Sequence, residues 1–148
     1  MSTNGLSGAL HEMSYEEFAK HQIPRYHGPM VKIEIGVTVY HVSKIILCET
    51  SRYFARMFDG NFKEGEAQSA VLEKVEGVVS NRSFELLLQW LYLGRITVGE
   101  EPPSEQISAM IEFARFADML GIDGVEPQTV EHMRATILAN SPSPTMWA

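Results

Sequence analysis

Residues 80–94 set the strongest limit on what this chain can fold into. From Phe84 the apolar side chains recur at Leu87, Leu88, Leu91 and Tyr92, the i, i+3, i+4, i+7, i+8 spacing of one helix face. Leu86, Trp90 and Leu93 cover much of the opposite side. A helix that is apolar on more than one face cannot lie on a surface, so other elements have to surround it. Ser80 or Asn81 supplies a cap at its start, and Gly94 supplies the stop. With 148 residues, 45% of them hydrophobic and 21% charged, the chain is long enough to enclose such a helix without disulfide or metal staples.

The surrounding elements are legible in order. Val31-Lys32-Ile33-Glu34-Ile35 alternates apolar and polar residues as a half-buried strand does, and Gly36 turns it into a second β-branched run, Val37-Thr38-Val39-Tyr40. From Ser43 the period becomes helical. Ile46, Leu47, Tyr53, Phe54, Met57 and Phe58 fall on two short helices that part near Glu49-Thr50, with Thr50 or Ser51 as the second cap and Asp59-Gly60-Asn61 as its end. Ala70-Val71-Leu72 predicts a short strand and Ile96-Thr97-Val98 another. After Glu101-Pro102-Pro103, Ser104 is expected to cap a helix carrying Ile107, Met110, Ile111, Ala114, Ala117 and Leu120, stopped by Gly121. A last helix starts near Pro127 and carries Val130, Met133, Ile137 and Leu138. Residues 1–28 read as a flexible lead in which Ser14 and Glu17 can cap a short helix over Ser14–Lys20, and residues 141–148 read as a tail. Residues 123–140 read as a C-terminal helix packed on the domain. The class is α+β with helices dominating.

Charge and composition remove several functions. A net charge of −7 with scattered Lys and Arg leaves no basic face of the kind that displaces counterions from phosphates, so nucleic acid is not an expected partner. The single cysteine, Cys48, excludes an intrachain disulfide and suits a reducing compartment. No signal peptide or run of about 20 apolar residues is visible. The expectation is a soluble protein of cytoplasm or nucleus with no membrane partner. The five histidines (His11, His21, His27, His41, His132) form no ligand-spaced pair, so neither metal nor cofactor is expected. Cys48 lies in the apolar run after Ile45-Ile46-Leu47, where a small buried cysteine is the ordinary reading. There is no GxSxG, Gly-rich phosphate loop or GxGxxG, and no enzyme or small-molecule substrate is expected.

The Met and aromatic residues from Tyr53 to Phe62 admit two readings, a binding groove or core. For Phe54 and Phe58, at helical spacing, core is favoured. Phe62 differs, because it stands between Asp59-Gly60-Asn61 and Lys63-Glu64-Gly65-Glu66, in what reads as a polar loop. A large apolar residue there is a recognition candidate.

Taken together in order, the residues resemble the BTB/POZ domain in the divergent form common in fungal proteins. The quoted stretches are Tyr40-His41-Val42-Ser43-Lys44-Ile45-Ile46-Leu47-Cys48, Ser51-Arg52-Tyr53-Phe54, Met57-Phe58, Phe62-Lys63-Glu64, Val71-Leu72, and Phe84 through Trp90-Leu91-Tyr92-Leu93-Gly94-Arg95-Ile96. The resemblance implies a BTB/POZ fold over 29–122, with a small, mostly three-stranded sheet flanked by five or more helices. Two positions depart from the family pattern. Ser43 stands where the family has a histidine before Lys44, and Gly28-Pro29-Met30 replaces the acidic residue before the first strand. The second departure weakens a corepressor-recruiting reading without touching the fold.

Such domains commonly homodimerise or bind a cullin as adaptors of ubiquitin ligases. In the cullin-binding members a hydrophobic-x-Glu step follows the second short helix, and Phe62 and Glu64 match it. The resemblance thus implies Phe62, Glu64, Phe58 and Tyr92 as partner-binding residues, with a cullin and a second copy of the chain as partners. With no kelch, MATH or zinc-finger segment within 148 residues, a target would be held by a flank or by another subunit. The alternatives left open are a self-associating scaffold or transcription-related protein without a ligase, and a monomeric adaptor resembling Skp1 or elongin C.

Overall fold

The computed structural model describes residues 13–60 and 63–140. The first twelve residues of the expected lead, Asn61, Phe62 and the expected tail lie outside the described residues. Strand β1 (Met30–Ile35) pairs antiparallel with β2 (Thr38–Ser43), Ile33 opposite Tyr40 and Ile35 opposite Thr38. The two-residue turn is made by Gly36 at φ +59° and Val37, and a primed turn of this kind matches the twist of the strands. β3 (Ser69–Leu72) runs parallel to β1 on its other side, giving the order β2-β1-β3.

The period of two decides the faces. Val31, Ile33 and Ile35 are fully buried, while Lys32 and Glu34 point outward and pair at 3.2 Å. On the buried face the helices close the core. They are α1 (residues 15–26), α2 (Lys44–Thr50), α3 (Arg52–Asp59), α4 (Lys63–Ala67), α5 (Asn81–Leu93), α6 (Pro103–Met119) and α7 (Glu126–Asn140). Phe84 and Leu87 of α5, Phe54 of α3 and Phe113 and Phe116 of α6 have no exposed surface. The expected α+β architecture with a three-stranded sheet is the one found. α5 is buried on two sides, Leu86 and Trp90 being 7% exposed, although Leu93 in its last turn faces solvent.

Both ends of α5 are closed by the residues the sequence offered. Ser80 accepts from the Ser83 N–H while the Ser83 hydroxyl accepts from the Ser80 N–H, and Gly94 takes φ +72°. Tyr40 ties the hairpin to this start: its hydroxyl donates to Glu85 at 2.8 Å and accepts from the Asn81 amide at 2.9 Å. Burial, with the nearby Glu85 carboxylate adding to it, raises the Tyr40 phenol above its ordinary pKa.

Four expectations change. Ile96-Thr97-Val98 is not a strand. Its backbone is satisfied by side chains instead of a neighbouring strand: Gln128 Oε1 accepts from the Ile96 N–H at 2.6 Å, Gln89 Oε1 accepts from the Thr97 N–H at 2.7 Å, and His132 Nε2 contacts the Ile96 carbonyl at 2.8 Å. Helix α6 starts one residue before Ser104, at Pro103, where a missing N–H costs nothing, and Ser104 is not its cap. The lead is helical over 15–26. Ser14 caps Glu17 as expected, the backbone widens to a π turn over Phe18–Gln22, and Ile23–Tyr26 ends on the domain. Gln22 is buried there and Arg25 pairs with Glu49. Lastly, α7 presents most of its apolar residues outward: Val130, Ile137 and Leu138 are 56%, 53% and 64% exposed, while Thr129 is buried and Met133 packs on the core. Among the described residues no helix is long and apolar enough to cross a membrane.

Candidate partner-docking site

The site is built around α3, whose start is locked before its outer face is presented. Ser51, fully buried, accepts from the Phe54 N–H at 3.2 Å and donates to the Leu120 carbonyl at 3.0 Å. The Tyr53 N–H reaches the same carbonyl at 3.4 Å. One serine therefore caps α3 and fastens it to the C-terminal end of α6, satisfying donors and an acceptor that burial would otherwise orphan.

The other end of α3 is held by α4. The sequence reads Lys63–Glu66 as a polar loop; the structure makes Lys63–Ala67 a short helix folded back on the end of α3. Gly65 allows this close approach. A Cβ there would lie 2.6 Å from the Gly60 carbonyl oxygen and 3.2 Å from that of Phe58, both backbone atoms that cannot swing aside. Gln68, with φ +51°, completes the clasp by donating its amide to the carbonyls of Phe58 and Gly65.

Between these fastenings an open groove of about 590 Å³ runs along α3, lined by Arg52, Tyr53, Arg56, Met57 and Glu64, with Met119 at the end of α6. Tyr53 and Met119 are 38% and 44% exposed. Glu64 is half-buried at its edge. Apolar walls with a few charged groups are what recognition surfaces combine.

Of the four residues implied by the resemblance, the three that are described do not share one surface. Glu64 lines the groove. Phe62, two positions earlier, lies outside the described residues. Phe58 is withdrawn from the surface: it is 2% exposed and stacked on Phe54, ring centres 6.2 Å apart. As a docking residue it is corrected to a core residue, because the i, i+4 spacing turns it to the same inward face as Phe54. Tyr92 is half-buried elsewhere. It stacks on Tyr26 of α1 at 5.7 Å, and its hydroxyl accepts from the Ser43 N–H at 2.9 Å. Ser43 in turn caps α2 through the Ile46 N–H and donates to the Arg25 carbonyl, so the family departure at this position is a helix cap that also anchors α1.

Sequence reasoning did raise a groove from Tyr53 and Met57. It missed Arg52 and Arg56, although their own i, i+4 spacing opposite Phe54 and Phe58 was a usable signal. Met119 joins only through the tertiary contact between α6 and α3. Cys48 is not poised for chemistry. Burial first, and Asp59 second, push its thiol up to about 11, against an opposing effect of Lys44.

The chain is similar to known proteins at three levels. The BTB/POZ domain family matches residues 30–137. Kelch-like ECH-associated protein 1A of Danio rerio is 35% identical over 82 residues, which is 51% of this chain and 13% of that protein, so the chain corresponds to a small part of that relative's length. Among solved structures, the BTB domain of zebrafish PATZ1 superposes with a TM-score of 0.50 at 16% identity, covering 95% of this chain and 97% of that one, a likeness of fold. With a family match over most of its length and the matching fold, the chain belongs to the BTB/POZ family, a family of protein–protein interaction modules.

Proposed function

We propose that this BTB domain docks a cullin-type ubiquitin-ligase scaffold along the α3–α4 groove and acts as an adaptor, pairing through a separate surface on α1 and β1 with a second copy of itself and performing no catalysis of its own. The observation that carries the reading is the seat of Glu64. Gly65 and Gln68 clasp α4 to α3, and this holds the glutamate of the hydrophobic-x-Glu step at the edge of an open groove walled by Tyr53, Met57 and Met119. A fixed carboxylate beside apolar surface suits an interface in which apolar contact supplies affinity and charge sets register. Phe62 is assigned the apolar anchor by its place in the step.

The second copy is proposed from the apolar residues that α1 and β1 leave in solvent, Tyr15 at 82%, Phe18 and Ile23 each at 39%, and Met30 at 46%. A self-associating scaffold without a ligase would use this side alone.

The test is capture of a purified cullin N-terminal region by the full chain, comparing wild type with Phe62→Ala and Glu64→Lys. Both variants should keep the wild-type melting temperature and lose affinity about tenfold or more, as truncation of an anchor or reversal of a steering charge does. Unaltered capture by both variants refutes the docking assignment. Light scattering of the free chain should give twice the chain mass, and a monomer refutes the pairing.

A further inference from the structure

The groove holds charges that the fold does not need. Arg52 occupies the first position of α3, where a cation opposes the positive end of the helix dipole. Arg56 follows one turn later, and like charges at i, i+4 work against a helix rather than for it. Among the described residues neither guanidinium takes part in an ion pair or side-chain hydrogen bond. The nearby acids that could have served are committed elsewhere, Asp59 to Lys44 at 3.2 Å and Glu49 to Arg25. Among the described residues Glu64 is the one carboxylate lining the groove, so this lining is locally cationic on a chain whose net charge is −7. Tyr53, Met57 and Met119 add apolar surface between the arginines and the end of α6, and methionine walls adapt to the shape of what they receive.

We infer that Arg52 and Arg56 read carboxylates on a partner, and that the groove takes an acidic amphipathic protein segment, its acids on the arginines and its apolar side chains against Met57 and Met119. The inference rests on the proposed docking role for the choice of face. It adds the chemistry of the occupant and names the two residues that select it. Guanidinium groups suit this role because their fork of donors matches a carboxylate and they lose hydration readily.

The experiment titrates the full chain into two fluorescein-labelled synthetic peptides of equal length. One carries Glu and Leu at helical spacing, and the other has Lys in place of each Glu. The wild-type chain should bind the acidic peptide and discriminate against the lysine peptide. The double variant Arg52→Glu, Arg56→Glu should weaken the acidic peptide about tenfold or more and improve the lysine peptide. The control Arg115→Glu, outside this groove, should change neither. Raising salt to about 1 M, where the screening length falls to about 3 Å, should erase much of the discrimination. Matched melting curves establish that all variants are folded. Equal binding of the two peptides, binding of neither, or a double variant that behaves as wild type overturns the inference. Cullin capture separates it from the docking proposal. Capture untouched by the double variant overturns the inference and leaves docking standing, whereas Arg-dependent binding of the acidic peptide with no cullin captured does the reverse.

Discussion

The two faces of α3 carry apolar residues of similar size that the structure uses in opposite ways. Inward, Phe54 and Phe58 are 0% and 2% exposed, stacked on each other and enclosed by the core. Outward, the exposed Tyr53 and the half-buried Met57 line an open groove together with Arg52 and Arg56. Eight residues of helix thus divide into a face chosen for shape and a face that mixes apolar surface with charge. The lesson is that residue type alone does not mark a docking site. What marks it is apolar surface left uncovered beside charges the fold leaves unpaired.

Substitutions on the two faces should therefore separate stability from binding. The largest effect is expected inside: Phe54→Ala removes a fully buried ring and should cost about 3–5 kcal/mol, read as a lowered urea midpoint. A variant as stable as wild type would break the comparison. Next comes Ser51→Ala, which deletes the α3 cap and the bond to Leu120. It should cost about 1–2 kcal/mol. Because the same serine fastens α3 to α6, it should also loosen the groove and weaken docking, the one variant to move both readouts. Arg56→Ala should shift stability by no more than about 0.5 kcal/mol while reducing partner affinity.

The smallest effect is a pH dependence at Cys48. Its folded pKa of about 11 exceeds the ordinary value near 8.5, so in that window the folded state keeps a proton that the unfolded chain has lost. Its contribution is whole below about pH 8.5 and declines as pH rises through the folded value. Urea midpoints of wild type and Cys48→Ala, compared from neutral pH upward, should draw together or cross as the wild type loses this contribution. A pH-independent difference contradicts it. Alkylation by iodoacetamide at neutral pH should likewise be slow, since the thiol is not ionised.

Much of the fold was legible because local rules and burial agree there. Ser51, Ser80 and Gly94 cap as their types suggest, the alternation Val31–Ile35 gives a strand with one buried face, and the spacing from Phe84 gives the central helix. Legibility stops where a side chain far along the chain replaces a regular partner. Ile96–Val98 has strand composition, yet Gln128 and His132, more than thirty residues later, take the backbone groups a strand would need. Helix α7 is the converse case. It owes its seat to those polar contacts and to Met133, so Val130 and Leu138 are free to face solvent despite an apolar pattern suggesting otherwise.

The site divides in the same manner. Phe62 was singled out by its polar flanks, Glu64 came only from resemblance to the family, and periodicity gave the better reading of Phe58. Gly65 carried no signal, because its requirement arises from the Gly60 carbonyl lying under it, a contact that exists only once α4 has folded back.

The central claim is that the outer face of α3 is where a protein partner sits. Its most direct test is amide hydrogen exchange on the full chain with and without a purified cullin N-terminal region. Added protection confined to residues 52–57, 63–67 and 119–121 is the predicted footprint. Protection on α7 or the outer face of the sheet, with α3 and α4 exchanging as in the free protein, would contradict it.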